Sequence, residues 1–219
     1  MKISKITKVL PLALALAFCM PATFAEGESP SANAVYQLNL PEYLKIATTT
    51  ANPATDVTFD DDYAGANLES AITGSFKVVT NLPTRAVYLQ ATCAVEGDTA
   101  LALYSPDADP TKIYIVLTNE DHLPTASAVT AARGGSSDKA ATPDTIALAL
   151  TPTTAHDNFP SNGIKAKWDN AKNQIEYTIL NGTGTFDYTT SEKVEPTSFS
   201  THDTKGTYKA TLTMTKTSL

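Results

Sequence analysis

The sequence predicts an all-β protein, an antiparallel β-sandwich with decorated loops and one short helix. Three observations carry that reading. The 219 residues include 34 Thr against 10 Gly, and a β-branched side chain fits a half-buried pleated surface better than a helix. Short segments of alternating apolar and polar residues recur between turn residues, the pattern of antiparallel strands packed on one face. Apolar residues make up 42% and charged residues only 18%, so the chain can bury a core, and neither disorder nor coiled coil fits. The length is that of one domain rather than two.

Residues 1–25 run from Lys2, Lys5 and Lys8 through the apolar stretch Val9 to Met20 to the small-residue ending Thr23-Phe24-Ala25, the three-part order of a secretory signal peptide. The bulky Phe18 before Cys19 argues against a lipoprotein signal. The expected organisation is a signal peptide over 1–25, an N-terminal extension over 26–42 and a single sandwich domain over 43–219. The exported 194 residues then carry 13 basic and 23 acidic side chains, a formal net charge of −10. Nucleic-acid binding needs a basic surface that displaces counterions, so it is not expected. No apolar stretch beyond the leader is long enough to span a bilayer. Cys93 is the one cysteine that remains, and it shares an alternating face with Val87, Leu89 and Ala91; it reads as a buried core residue.

Taken in order, alternation predicts strands over Ala34 to Leu40, Leu44 to Thr48, Asp56 to Asp60, Gly74 to Thr80, Ala86 to Cys93, Thr99 to Tyr104 and Lys112 to Thr118. In the last of these Ile113, Ile115 and Leu117 take one face, Tyr114 and Val116 the other. Asn119 to Asp144 lacks strand alternation and reads as a surface excursion. Within it Thr125 to Arg133 suits a helix, with Pro124 near its start and Gly134-Gly135 as its stop. Five further strands follow over Thr145 to Leu150, Ile164 to Trp168, Gln174 to Leu180, Gly184 to Tyr188 and Thr207 to Thr215. Asp169 to Asn173 reads as a hairpin loop that sets Trp168 and Ile175 on neighbouring strands.

The search for chemistry assigns no catalytic residue, no metal ligand and no cofactor, so the chain is not read as an enzyme. His122, His156 and His202 are too far apart for a short metal-ligand spacing, and each neighbouring Asp points away from its His on a strand. Asp60-Asp61-Asp62, with Asp56 before it, lacks the spacing and the closing Glu of a known calcium loop. No Ser stands in G-x-S-x-G, and no glycine-rich phosphate loop follows a strand. A glycosidase carboxylate pair has no sequence signature, which leaves a hydrolase as the weakest alternative. Trp168, Tyr177 and Tyr188 lie on consecutive predicted strands, where they form either an exposed sugar-stacking platform or part of the core. Asn181-Gly182-Thr183 reads as a plain turn.

The two ends are the most informative. Ala34, Tyr36, Leu38 and Leu40 lie on one face of an alternating run that Pro41 cuts off from Tyr43 to Ile46; proline cannot donate to a ladder, so the run is free to pair elsewhere. Near the other end, Tyr208, Ala210, Leu212 and Met214 alternate with Thr211, Thr213 and Thr215. With the leader, the Pro-broken first strand and the final Gly-Thr-Tyr-x-Ala-Thr-Leu-Thr-Met-Thr, the chain resembles subunits of chaperone-usher fimbriae of the colonisation-factor type. Phe76-Lys77-Val78-Val79-Thr80 and Arg85-Ala86-Val87-Tyr88-Leu89 are similar to their central strands. The resemblance implies an immunoglobulin-like sandwich missing one strand, which the next subunit supplies. Under it Ala34, Tyr36, Leu38 and Leu40 form the donor strand, and Tyr208, Ala210, Leu212 and Met214 one side of the acceptor groove. The implied partners are identical subunits, a periplasmic chaperone and an outer-membrane usher, and the implied destination is the periplasm and then the cell surface. The alternative from the residues alone is a self-complete secreted β-sandwich that binds a carbohydrate or protein ligand.

Overall fold

The computed structural model describes residues 35–52, 54–60, 65–106, 113–155 and 165–216. The expected leader over 1–25, Ala34, the Asp61-Asp62 pair, His156 and Ile164 lie outside them. The chain divides into two units at Leu40/Pro41. In the first, residues 35–40 carry no helix and no strand. The second is the all-β sandwich. Strands in antiparallel sheets, one of them curled into a half-barrel, make up about half of the described residues.

The strands are β1 Leu44–Asn52, β2 Val57–Phe59, β3 Ala66–Leu68, β4 Thr73–Thr80, β5 Arg85–Val95, β6 Asp98–Leu101, β7 Leu103–Tyr104 and β8 Ile113–Asn119. Then come helix α1 Ala126–Arg133, β9 Thr145–Ala155, β10 Lys165–Asp169, β11 Gln174–Ile179, β12 Gly182–Thr190, β13 Lys193–Val194, β14 Tyr208–Lys209 and β15 Thr211–Thr215. A seven-stranded sheet runs β1-β4-β12-β9-β8-β14, with β7 also on β8; a five-stranded sheet runs β10-β11-β5-β15, with β6 also on β5. A small third sheet has the order β13-β3-β2. Two of its members, β3 and β13, are too short for alternation to be read, and the sequence does not announce them.

Register explains why the alternating residues become the core. In the five-stranded sheet Trp168, Ile175, Leu89 and Met214 stand in one cross-strand row over β10, β11, β5 and β15, and all four are buried. In the seven-stranded sheet Phe76 pairs with Phe186, Ile115 with Leu148 and Ile113 with Leu150, again on one buried face. The two faces meet where the Tyr177 and Phe186 rings stand 5.1 Å apart at 59°, a tilted contact that suits aromatic quadrupoles. Predicted turns also hold. Asp169 Oδ1 accepts from the Ala171 and Lys172 N–H groups, and Asn173 takes φ 49° before β11 begins. Thr125 caps α1 by accepting from the Ala128 N–H at 3.3 Å, and Gly135 at φ 76° ends it.

Three expectations need correction. Thr99 to Tyr104 is not one strand, because the chain leaves the five-stranded sheet after Leu101 and joins the seven-stranded sheet at Leu103. Thr207 to Thr215 is likewise two strands: β14 pairs with β8, β15 pairs with β5, and the break falls at Ala210. Alternation passes through both breaks because each flanking strand keeps its own apolar side turned inward. Third, 119–144 is not wholly a surface excursion. Ala128, Val129 and Ala132 of α1 are buried, as are Lys139 and Thr142, so this segment covers the second face of β8. That is why Val116 and Thr118 are fully buried although they face away from Ile113 and Ile115.

The crossing at Ala102 bridges the sheets directly. Its N–H donates to the Ala91 carbonyl at 2.8 Å and its carbonyl accepts from the Val116 N–H at 2.9 Å, while the Thr118 hydroxyl donates to the Ala94 carbonyl at 2.8 Å. Ala102 has no exposed surface, so Ala102→Leu should overpack the crossing and cost about 1–3 kcal/mol. Urea unfolding followed by circular dichroism checks this, and an unchanged midpoint contradicts it.

Candidate functional site

Pinning begins at Pro41. The Asn81 side chain accepts from the Tyr43 N–H and donates to the Pro41 carbonyl, both at 2.8 Å, and Thr80 Oγ1 donates to the Tyr43 carbonyl at 3.0 Å. The exposed ion pair Arg85–Glu42 at 3.0 Å adds little. Over residues 35–40 the backbone carries no strand. Val35, Tyr36, Leu38 and Leu40 are 89%, 94%, 89% and 76% exposed. Four large apolar side chains in six residues make an apolar surface of the kind that marks an interaction site. Of the predicted donor residues, Tyr36, Leu38 and Leu40 are therefore exposed and outside any strand, while Ala34 lies outside the described residues.

The predicted acceptor residues are separated by the sheet change. Tyr208 belongs to the seven-stranded sheet, and its hydroxyl donates to the Thr204 carbonyl at 2.8 Å. Leu212 and Met214 belong to β15, which forms one margin of the five-stranded sheet, as β1 forms one margin of the seven-stranded sheet. Met214 is buried and Leu212 half-buried. A Cβ on Gly74 of β4 would lie 3.9 Å from Leu212 Cδ2, so β15 sits over the β4 side of the seven-stranded sheet. Tyr208 and Ala210 do not continue its face, because the backbone turns between sheets at Ala210.

A polar clasp that the sequence reading missed holds this corner. Asp144, at φ 55°, accepts through Oδ1 from the Thr204 N–H at 2.8 Å and the Thr204 hydroxyl at 2.6 Å, with longer contacts from Asn119 and Tyr208. Burial acts to raise the Asp144 pKa, but the hydrogen bonds from Thr204, Asn119 and Tyr208 outweigh it and the net shift is downward. Burial, with Asp203 and Asp144 nearby, pushes the Tyr208 phenol well up and keeps it protonated. Gly206 is required beside the clasp, since a Cβ there would collide with the Asn119 side chain. Next to it Lys139 and Asp203 form an ion pair at 2.9 Å with side chains 8% and 5% exposed. The only local hint was the Pro143-Asp144 turn before β9; the partners lie about sixty residues away in sequence.

The other candidates fall into place as structure. Trp168, Tyr177 and Tyr188 are buried on the inner rows, so they do not form an exposed sugar-stacking platform. Burial pushes the Tyr177 phenol up to about 12, with Tyr188 opposing the rise. Cys93 is buried, and burial raises its thiol pKa against the lowering effects of Thr118 and Arg133. His122, His202, Asp56, Asp60 and Asn181 are exposed. Among the described residues no three His, Cys, Asp or Glu side chains converge as metal ligands, and no helix is long and apolar enough to cross a membrane. A cleft of about 300 Å³ lies between Tyr104, Thr130, Arg133, Trp168, Asn170 and Asn173. No family model, curated protein or solved structure matches the chain.

The downward shift of Asp144 sets a pH dependence. A carboxyl whose folded pKa lies below its unfolded value of about 3.9 stabilises the fold above that value, and the stabilisation is lost as pH falls through the folded pKa. Asp144→Asn, which tolerates the positive φ, should cost about 1–2 kcal/mol near neutral pH. The difference from wild type should shrink below about pH 4. Thermal unfolding of both proteins across pH 2–7 checks it, and a pH-independent difference contradicts it.

Proposed function

We propose that the protein is a structural subunit of a surface fibre, in which residues 34–40 of one copy add as a strand to a sheet margin of the next. The observation that carries the proposal is the exposure of Val35, Tyr36, Leu38 and Leu40 in a stretch without a ladder, immediately before a pinned Pro41. An extended apolar segment and a strand at a sheet margin are complementary, since backbone addition at a margin extends the ladder while alternate side chains of the added strand meet apolar surface. The margin at β15 fits this use because its half-buried Leu212 leaves apolar surface beside the buried Met214. Seven residues span about 23 Å, the length of a sandwich strand. Burying Tyr36, Leu38 and Leu40 supplies about 1.5–3 kcal/mol each, and each ladder hydrogen bond adds about 0.5–1.5 kcal/mol. Export, chaperone and usher partners and an immunoglobulin-like subunit belong to the same proposal through the resemblance of the chain ends. The protein acts without catalysis or cofactor in this reading.

Leu38→Asp tests it. A charge carried into an apolar groove costs several kcal/mol unless it is neutralised, so the variant should remain a folded monomer by circular dichroism and fail to form the SDS-resistant ladder of the wild type. A wild type that stays monomeric at high concentration, or a variant that unfolds alone, favours the self-complete binding module. In that case the cleft beside Arg133 is the place to look for a ligand.

A further inference from the structure

The Lys139–Asp203 pair has a geometry that an ordinary ion pair does not need. Nζ stands 2.9 Å from Asp203 Oδ1, yet Oδ1 makes no hydrogen bond of acceptable angle. The contact is close enough for a hydrogen bond but lacks the angle of one. The other oxygen, Oδ2, accepts from the Ser200 N–H at 2.7 Å. Nζ also donates to the Thr142 carbonyl at 2.9 Å and to the Thr145 carbonyl. Each side is fixed by its own turn. The Thr142 hydroxyl donates to the Asp138 carbonyl and the Ala140 N–H to Asp138 Oδ1; opposite, the Asp203 N–H donates to the Ser200 carbonyl and the Thr204 N–H to Asp144. An amine and a carboxyl group are thus held together with water excluded, the condition under which an intramolecular reaction gains most over its bimolecular counterpart.

We propose that Lys139 and Asp203 condense to an amide, an intramolecular crosslink made by the folded chain itself. In the first step one proton passes from the Lys139 ammonium to Asp203 Oδ1 across the 2.9 Å contact, giving an amine beside a carboxylic acid. The nitrogen lone pair adds to Asp203 Cγ, forming the N–C bond, while the Ser200 N–H holds the negative charge that develops on Oδ2. The Cγ–Oδ1 bond then breaks. Of the three protons on the starting ammonium, two leave with Oδ1 as water and one stays on the amide nitrogen. No oxidant, reductant or further reactant takes part. In the product Oδ2 is the amide oxygen and keeps its Ser200 donor, the amide N–H keeps one of the two Thr carbonyls, and the unpartnered Oδ1 is gone. Cys93 has no disulfide partner, and this bond would tie the loop after α1 to the segment before β14 across the clasp. It does not depend on the fibre reading.

The test is peptide mapping of the folded, full-length wild type by trypsin and mass spectrometry. The crosslink blocks cleavage after Lys139. It should yield a branched peptide joining residues 134–165 to residues 194–205, lighter than its two arms by one water, with fragmentation placing the bond on Lys139 and Asp203. In Asp203→Ala the linear peptides 134–139 and 140–165 should return. Recovery of linear 134–139 and 194–205 as the main species from the wild type would overturn the proposal and leave an ion pair. So would a loss of water that persists in Asp203→Ala. The wild-type measurement decides even if the variant fails to fold.

Discussion

Two alanines, Ala102 and Ala210, carry the chain from one sheet to the other, and the rest of the sandwich depends on those crossings. At Ala102 the chain passes from β6 to β7, and at Ala210 from β14 to β15. The four strands concerned pair with only two others: β6 and β15 lie on opposite sides of β5, while β7 and β14 both pair with β8 on the side away from β9. One side of the sandwich is therefore stitched by backbone hydrogen bonds and does not rely on side-chain packing alone. A buried peptide group without a partner would cost as much as a lost hydrogen bond, so the Ala91–Ala102–Val116 relay lets the chain cross the interior. The small side chain matters for the same reason, since the backbones of β5 and β8 approach each other there.

That stitching decides what the loops do. The segment between β8 and β9 does not hang from the sandwich; it lays α1 over the outer face of β8 and ends in the turn that carries Lys139 and Asp144. Both residues then reach the segment before β14, through Asp203 and Thr204. The clasp sits where β14 leaves β8 for the crossing at Ala210, so polar groups hold the corner that apolar packing cannot reach. A buried ion pair contributes little net stability against an apolar substitute. What it does here is fix one geometry among several that an apolar corner would allow.

The open margins are the counterpart of the stitched side. β1 and β15 stand at the ends of their sheets, and a sandwich must blunt or cover such margins to avoid uncontrolled pairing. Residues 35–40 form an alternating apolar run that is exposed and takes no strand of its own. The fibre reading joins these two facts: a margin covered by a neighbouring copy is blunted, and an apolar segment buried in that margin is removed from water. The self-complete reading has to account for the same exposed Tyr36, Leu38 and Leu40 without a partner.

Much of the fold was legible in the sequence because it is governed by local periodicity. The Thr-rich alternation of β4, β5 and β8 to β12 marks strands whose inner rows are those the register brings together, such as Trp168 with Ile175. Pro124 and the Gly134-Gly135 stop bracket α1 in the sequence, while the Thr125 cap that satisfies an orphan N–H of its first turn is seen only in the fold. Cys93 could be placed in the core by its neighbours at two-residue spacing. The sequence could not say that Tyr208 and Leu212 belong to different sheets, because alternation records only which side faces inward and both sheets share one interior. Nor could it decide between platform and core for Trp168, Tyr177 and Tyr188, since an aromatic residue reads the same on either face. Asp144, Lys139 and Asp203 were beyond it altogether: their partners lie about sixty residues away, and only the folded chain brings a carboxylate, an ammonium and the end of a strand to one corner.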